Sequence, residues 1–264
     1  MDKLFSIKDF AAFTGVKQST LRYYDEIGLL SPACRGENNY RYYEPQQIFI
    51  LNFINVLIDI GVPLAKIKDL MDTREPETVL ELLNQQELEL NKKLHELRSA
   101  FSIIQTYRKN IYSGIHRENE EMSVQELPET SVILGTQNDW TNQQTFYKPF
   151  INFCKMAKRV RINLRYPIGA YHSDFASFLE APGKPHRFFS QDPVGNSKRR
   201  AGKYLVGYKY GYYGEFGDFA QKMASYAKEH NLNLIGPVFV KYVLDEVSKI
   251  KHEEYLAQIM VRVE

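Results

Sequence analysis

Only two cysteines occur in the 264 residues, Cys34 and Cys154, and neither has a C-x-x-C partner. That usage supports neither a disulfide framework nor a structural zinc site, and it fits a reducing compartment. Charge of one sign is missing too, with 34 Lys and Arg against 32 Asp and Glu. A uniformly basic coat for nucleic acid is excluded, so any such contact must come from a local patch. Residues 1–75 carry 9 basic and 10 acidic side chains, 76–119 carry 6 of each, and 120–264 carry 19 and 16. Long apolar runs are lacking: the longest stretch, 48–62, is interrupted by Asn52, Asn55 and Asp59. The opening MDKLFSIKDF has no basic-then-apolar signal pattern, so a cytoplasmic protein is expected. His172, His186 and His230 have no evident nucleophile beside them, and the glycines of 208–218 form no phosphate-loop pattern. No metal, cofactor or enzyme activity is expected.

The length predicts two folded units and a connector. Ser6 is placed to cap a short helix whose buried face is Ile7, Phe10 and Ala11, spaced i, i+3, i+4. Thr14-Gly15-Val16 is a tight break in which Gly15 can take positive φ. A second helix starts at Lys17 or Ser19 and carries Leu21, Tyr24 and Leu29. Helix, glycine turn and helix together have helix-turn-helix anatomy. Residues 31–43, SPACRGENNYRYY, predict a hairpin or wing ending with Arg41 among Tyr40, Tyr42 and Tyr43. A guanidinium between tyrosines suits a phosphate backbone, because it can pair bidentately while the hydroxyls donate to nearby oxygens. A solvated hairpin whose tyrosines cover the core is the alternative.

The runs Thr20-Leu21-Arg22-Tyr23-Tyr24-Asp25-Glu26-Ile27-Gly28-Leu29-Leu30 and Asn39-Tyr40-Arg41-Tyr42-Tyr43 resemble the DNA-binding domain of the MerR family. The likeness continues through the helix pair at 48–60 and 67–71, with Gly61-Val62-Pro63-Leu64 between. By that resemblance Lys17, Gln18, Ser19, Thr20, Arg22, Tyr23 and Tyr24 would enter the major groove of promoter DNA or meet its flanking phosphates. Arg41 and Tyr42 would hold the backbone beside it. Asn39 stands where relatives often have glycine, and asparagine tolerates the left-handed conformation.

Beyond Pro76, Leu80, Glu87, Leu94, Phe101 and Arg108 recur every seven residues, as do Leu83, Leu90, Leu97, Ile104 and Ile111. This a/d seam predicts a coiled coil, and with no second long helix nearby its simplest partner is the same segment of another subunit. The arrangement resembles the antiparallel dimer helix of MerR proteins, across which Glu87 and Arg108 would sit close. Packing of the helix on the C-terminal domain is the alternative. Residues 76–153 contain no cysteine, so thiolate metal sensing and iron–sulfur sensing lose their ligands and an organic effector remains.

The third segment alternates strand and helix signals: strand Val132–Leu134, helix Gln143–Arg159 through Phe146, Phe150, Phe153, Cys154 and Ala157, and an extended Leu164–Tyr171. The order returns as strand Tyr204–Tyr213, helix Phe216–His230, and strands Leu234–Leu244 and Tyr255–Val263. Two such passes predict an internal duplication, an antiparallel sheet with helices on one side. The pattern resembles the GyrI-like effector domain, and the tripartite order is similar to multidrug-binding MerR members. The expected class is therefore multidomain: an all-α winged helix-turn-helix over 1–75, a coiled-coil helix over 76–119, and an α+β domain over 120–264. Tyr204, Tyr208, Tyr210 and Tyr212 alternate along one strand face, with Phe216, Phe239, Tyr242 and Tyr255 within reach, which predicts an aromatic pocket for a lipophilic aromatic or cationic molecule. By resemblance Glu215 and Glu253 join it, completing the candidate set Tyr166, Tyr208, Tyr210, Glu215, Phe216, Phe239, Glu253 and Tyr255. Val240 occupies the mid-strand position where multidrug-binding relatives carry a glutamate.

The resemblance implies a homodimer on a pseudo-palindromic promoter that untwists and bends the DNA for RNA polymerase when the effector binds, a deformation costing several kcal/mol. Two alternatives stay open. GyrI-like folds include small-molecule hydrolases using a glutamate beside tyrosines, and Glu215 near Tyr210, Tyr212 and Tyr213 permits that; an effector-blind architectural protein is the other.

Overall fold

A computed structural model describes residues 4–140, 147–159 and 163–264. The chain divides into two compact units, one running to Leu97 and the other from Arg98.

In the first unit, β1 (Phe5–Ser6) leads into α1 (Ile7–Thr14). Ser6 caps this helix as its spacing predicts, its Oγ accepting from Asp9 N at 3.2 Å. Gly15 ends it at φ 73°, and its N–H donates to Ala11 O at 2.9 Å. The second helix, α2 (Gln18–Glu26), follows from Lys17 as N-cap. The hairpin is β2 (Cys34–Arg35) and β3 (Arg41–Tyr43), and Asn39 takes the left-handed φ of 57° in its turn. β1 adds to β3 with Phe5 opposite Tyr43, so the helical domain carries a three-stranded sheet of order β1-β3-β2. Then α3 (Gln47–Asp59) and α4 (Leu64–Thr73) pack Leu51, Ile54, Leu57, Ile67 and Leu70 into a core with Phe10, Leu21 and Tyr43. The Phe10 and Tyr43 rings stack at 4.5 Å. α5 spans Pro76–Gly114 as one helix.

The second unit is built on β4 (Met122–Leu127), β5 (Thr130–Leu134), α6 (Tyr147–Arg159), β6 (Ile168–His172), α7 (Phe175–Glu180), β7 (Arg187–Ser190), β8 (Ser197–Arg199), β9 (Gly202–Tyr210), α8 (Phe219–Glu229), β10 (Leu234–Leu244) and β11 (Leu256–Val263). Residues 143–146 of the expected helix, including Phe146, lie outside the described residues. The strands form one antiparallel sheet of order β4-β9-β11-β10-β6-β7-β5-β8. The expected duplication is visible in that order. From the central β10–β6 pairing outward, each half runs second strand, third strand, first strand: β10, β11, β9 on one side and β6, β7, β5 on the other. The halves meet with Phe239 opposite Tyr171 and Val240 opposite Ala170.

Both faces of the sheet are covered. On one, α7 and α8 pack Phe178, Phe219 and Met223 against Leu205, Val238, Val240, Ile259 and Val261. Gly207 lets α8 approach, since a Cβ there would lie 2.9 Å from the Phe219 ring. The opposite face carries Tyr204, Val206, Tyr208, Phe239 and Met260, with Ile111 of α5 packed against them. Helices are therefore not confined to one side, because the end of α5 from Arg98 onward belongs to this unit. The tyrosine series also splits. Tyr204, Tyr208 and Tyr210 share the α5 face, but β9 ends at Tyr210 and Gly211 turns at φ 146°, sending Tyr212 to the α8 side.

Candidate DNA-contacting face and effector cavity

α2 buries Leu21 and Tyr24, three residues apart, so the opposite face of the helix must be exposed. Lys17, Ser19, Arg22 and Tyr23 are exposed there, and Gln18 and Thr20 are half-buried. Tyr24 departs from the set the resemblance implied: at 7 % exposed it belongs to the core, and its ring supports the helix from behind. Asp25 is the residue that sequence reasoning passed over. Its Oδ2 accepts from Arg35 Nη2 and from Arg41 Nε, each at 2.6 Å, while its side chain is only 5 % exposed. Arg35 Nη1 also donates to Asn39 Oδ1 at 3.0 Å. The wing is thus clamped onto α2 through one carboxylate, and Arg41 is a joint of that clamp. Tyr42 is half-buried and Tyr40 exposed, their rings 5.9 Å apart.

On the α8 side of the sheet lies a cavity of about 500 Å³, lined by Tyr107, Tyr147, Phe150, Tyr166, Phe188, Tyr212, Tyr213, Phe216, Val240, Tyr242, Asp245 and Glu246 among others. Tyr213 and Tyr242 meet at 4.4 Å. The Tyr242 hydroxyl is fixed between two backbone groups, donating to Tyr212 O at 3.0 Å and accepting from Gly214 N at 3.1 Å. Tyr213 donates to Glu246 Oε2. Burial, then that hydrogen bond, pushes the Tyr213 hydroxyl far up, so it remains a neutral donor. Burial also raises the Asp245 carboxyl, although Val247 N–H donates to it. An aromatic wall with carboxylates at one end can take a lipophilic cation: the rings supply dispersion and quadrupole attraction, the acids supply charge.

Of the candidate effector residues, Tyr166 and Phe216 line this cavity. Tyr208 and Phe239 line a different one on the opposite face, because alternate residues of a strand face opposite ways. Tyr210, Glu215, Glu253 and Tyr255 line neither. Glu215 and Glu253 are exposed, the latter in a short turn, His252–Glu254. Tyr255 stands behind Tyr212 and Tyr213, at 6.3 and 5.8 Å. The cavity carboxylates come instead from Asp245 and Glu246, directly after β10. Among the described residues no group of three or more His, Cys, Asp or Glu could hold a metal ion, and no helix is long and apolar enough to cross a membrane.

Residues 5–74 match the family described as MerR HTH family regulatory protein. Over 267 residues, 99 % of this chain and 97 % of the relative, the sequence is 26 % identical to the multidrug-efflux transporter 2 regulator of Bacillus subtilis (strain 168). It is 32 % identical to the multidrug-efflux transporter 1 regulator of the same organism over 42 % of this chain and 40 % of that one. The crystal structure of the N-terminus of MtaN, the Bacillus subtilis multidrug transporter activator, is 29 % identical across 38 % of this chain and 94 % of its own, with a TM-score of 0.33. The exposed α2, the wing clamped to it and the family match over those same residues make residues 5–74 a MerR-type helix-turn-helix domain.

Proposed function

We propose that two copies of the chain, joined along α5, bind promoter DNA through α2 and the wing, and that a lipophilic aromatic cation in the α8-side cavity switches the dimer to activate transcription by RNA polymerase in the cytoplasm. One observation carries this reading: a single chain holds a MerR-type helix-turn-helix with an exposed α2 face and, in a separate unit, an aromatic cavity ending in Asp245 and Glu246. The α5 seam supports the dimer. Leu80, Leu94, Leu97, Phe101 and Ile104 are each between 44 % and 67 % exposed. Fully burying such a side chain is worth about 1.5–3 kcal/mol, so the seam favours a partner helix. The two Bacillus relatives are regulators of multidrug-efflux transporters, which supports a drug-like effector here.

The hydrolase alternative loses its support at Glu215, which is exposed and outside both cavities. The test is fluorescence anisotropy on promoter fragments with and without tetraphenylphosphonium, while the emission of the single tryptophan is followed. Trp140 Nε1 donates to Pro185 O at 2.9 Å, and Pro185 lines the cavity. Salt-sensitive DNA binding with saturable Trp140 quenching, weakened at least tenfold in E246Q, is expected. Quenching without any DNA affinity would overturn the regulator reading.

A further inference from the structure

The cavity on the opposite face of the sheet has different chemistry. It measures about 530 Å³ and lies between the end of α5 and the strands, with Tyr208, Phe239 and Met260 as an apolar floor and basic groups above it. Lys241 reaches in from β10, and its Nζ donates to Asn110 Oδ1 at 2.8 Å. Asn110 passes the hydrogen bond on through Nδ2 to Gln191 Oε1 at 3.3 Å, leaving Gln191 Nε2 buried with no acceptor.

Arg199 is 8 % exposed. Its Nη2 is occupied by Pro128 O at 2.9 Å and Thr130 Oγ1 at 3.0 Å, and its guanidinium lies over the Tyr204 ring at 5.0 Å. Its Nη1 is buried and has no partner. Burial first, and then the repulsive charges of Lys109 and Arg199, pull the Lys241 ammonium down to about 7. The carboxylate on the lining, Glu129, is half-exposed and paired with Lys198 at 2.6 Å. A fold seldom leaves a buried cationic donor without an acceptor, because the desolvation of each unmade bond is then offset by nothing. Two cationic donors and one amide donor line space that an acid group would fill.

We propose that this cavity is a second ligand site, for a small organic acid whose carboxylate or phosphate sits between Lys241 Nζ, Arg199 Nη1 and Gln191 Nε2, with its organic part on Tyr208, Phe239 and Met260. The site is independent of the cation reading, since it shares no lining residue with the α8-side cavity. Ser102, Thr106, Lys109 and Asn110 of α5 line it, so a bound acid holds the end of the dimer helix against the sheet.

The experiment is calorimetric titration and thermal melting of the full-length protein with phenyl phosphate and with benzoate, in the wild type, in K241M and in K109M. Saturable binding of either acid is expected, at least tenfold weaker in K241M and a few-fold weaker in K109M. The acid that binds tells a phosphate source from a carboxylate one. K241M removes a charge and keeps an unbranched side chain only one atom shorter, so its melting temperature should not fall; circular dichroism checks that it folds, and K109M carries the test if it does not. Absence of binding by both acids at millimolar concentration overturns the site, and so does equal affinity in wild type and both variants.

Discussion

Replacing Asp25 by asparagine keeps the shape of the clamp and removes its charge. In the folded protein one carboxylate oxygen, on a side chain 5 % exposed, takes two guanidinium donors at 2.6 Å. The Arg41 partner is 21 % exposed and the Arg35 partner 40 %. Charge-assisted hydrogen bonds are worth about 1.5–3 kcal/mol each when sheltered. The Arg35 bond is discounted to about 1 kcal/mol or less for solvent screening, while the Arg41 bond keeps about 2 kcal/mol. D25N should therefore cost about 2–3 kcal/mol in the N-terminal unit. If half of that is the cost of re-ordering the wing on DNA, promoter affinity falls about tenfold, at about 1.4 kcal/mol per decade. Thermal melts followed at 222 nm and anisotropy titrations across 50–200 mM salt read the two effects. The salt slope should stay unchanged, because the arginines and their charges remain. An affinity that rises with a steeper slope would mean that Asp25 merely withholds Arg41 from the phosphates, and would refute the clamp.

Arg22→Ala should weaken promoter binding by about 1–3 kcal/mol while leaving tetraphenylphosphonium binding intact, since Arg22 is exposed on α2; unchanged affinity at moderate salt would remove it from the interface. Leu97→Asp, at a seam residue 67 % exposed in the single chain, should yield monomers in sedimentation velocity, and a persisting dimer would place the interface elsewhere. The buried His172 imidazole is held at about 4, first by burial and then by nearby His186. The unfolded chain takes its proton nearer 6.5, so stability is full above that pH and declines as pH falls toward 4, by about 3 kcal/mol in all at about 1.4 kcal/mol per pH unit. Urea unfolding at pH 7 and pH 4.5 should show that loss in the wild type and not in H172F, and equal losses would assign the acid lability elsewhere.

What the sequence disclosed follows the range of the interactions involved. The cap at Ser6, the left-handed Gly15 and Asn39, and the inward Leu21 were legible because local backbone chemistry decides them. The duplicated strand order was legible from the repeated alternation, since each pass must bury the same kind of face. The Asp25 clamp was not, because it joins residues 10 and 16 positions apart whose meeting depends on how the wing folds back. The cavity was misread for a geometric reason. Tyr208 and Tyr212 share parity, but β9 stops between them, and only the turn at Gly211 decides that Tyr212 joins Tyr213 and Tyr242. Asp245 and Glu246 carried no signal at all, because nothing local marks the residues after a strand as reaching a pocket built by α6 and by Phe216, which precedes α8.

Val240 and Lys241 are neighbours on one strand, and the pleat sends the first into the aromatic cavity and the second into the basic one. The two cavities are therefore back to back across a single backbone, at the pairing of β10 with β6 where the duplicated halves meet. A sheet is stiff along its strands, so a ligand that shifts β10 on one face changes the space on the other. An uncharged residue at Val240, whose side chain lines the aromatic cavity, fits this arrangement. A carboxylate at 240 would put a negative charge within one residue of Lys241 and offset the positive field that selects an acid on the far side. With Asp245 and Glu246 beyond the end of β10, one strand would face the proposed cation on one side and the proposed anion on the other.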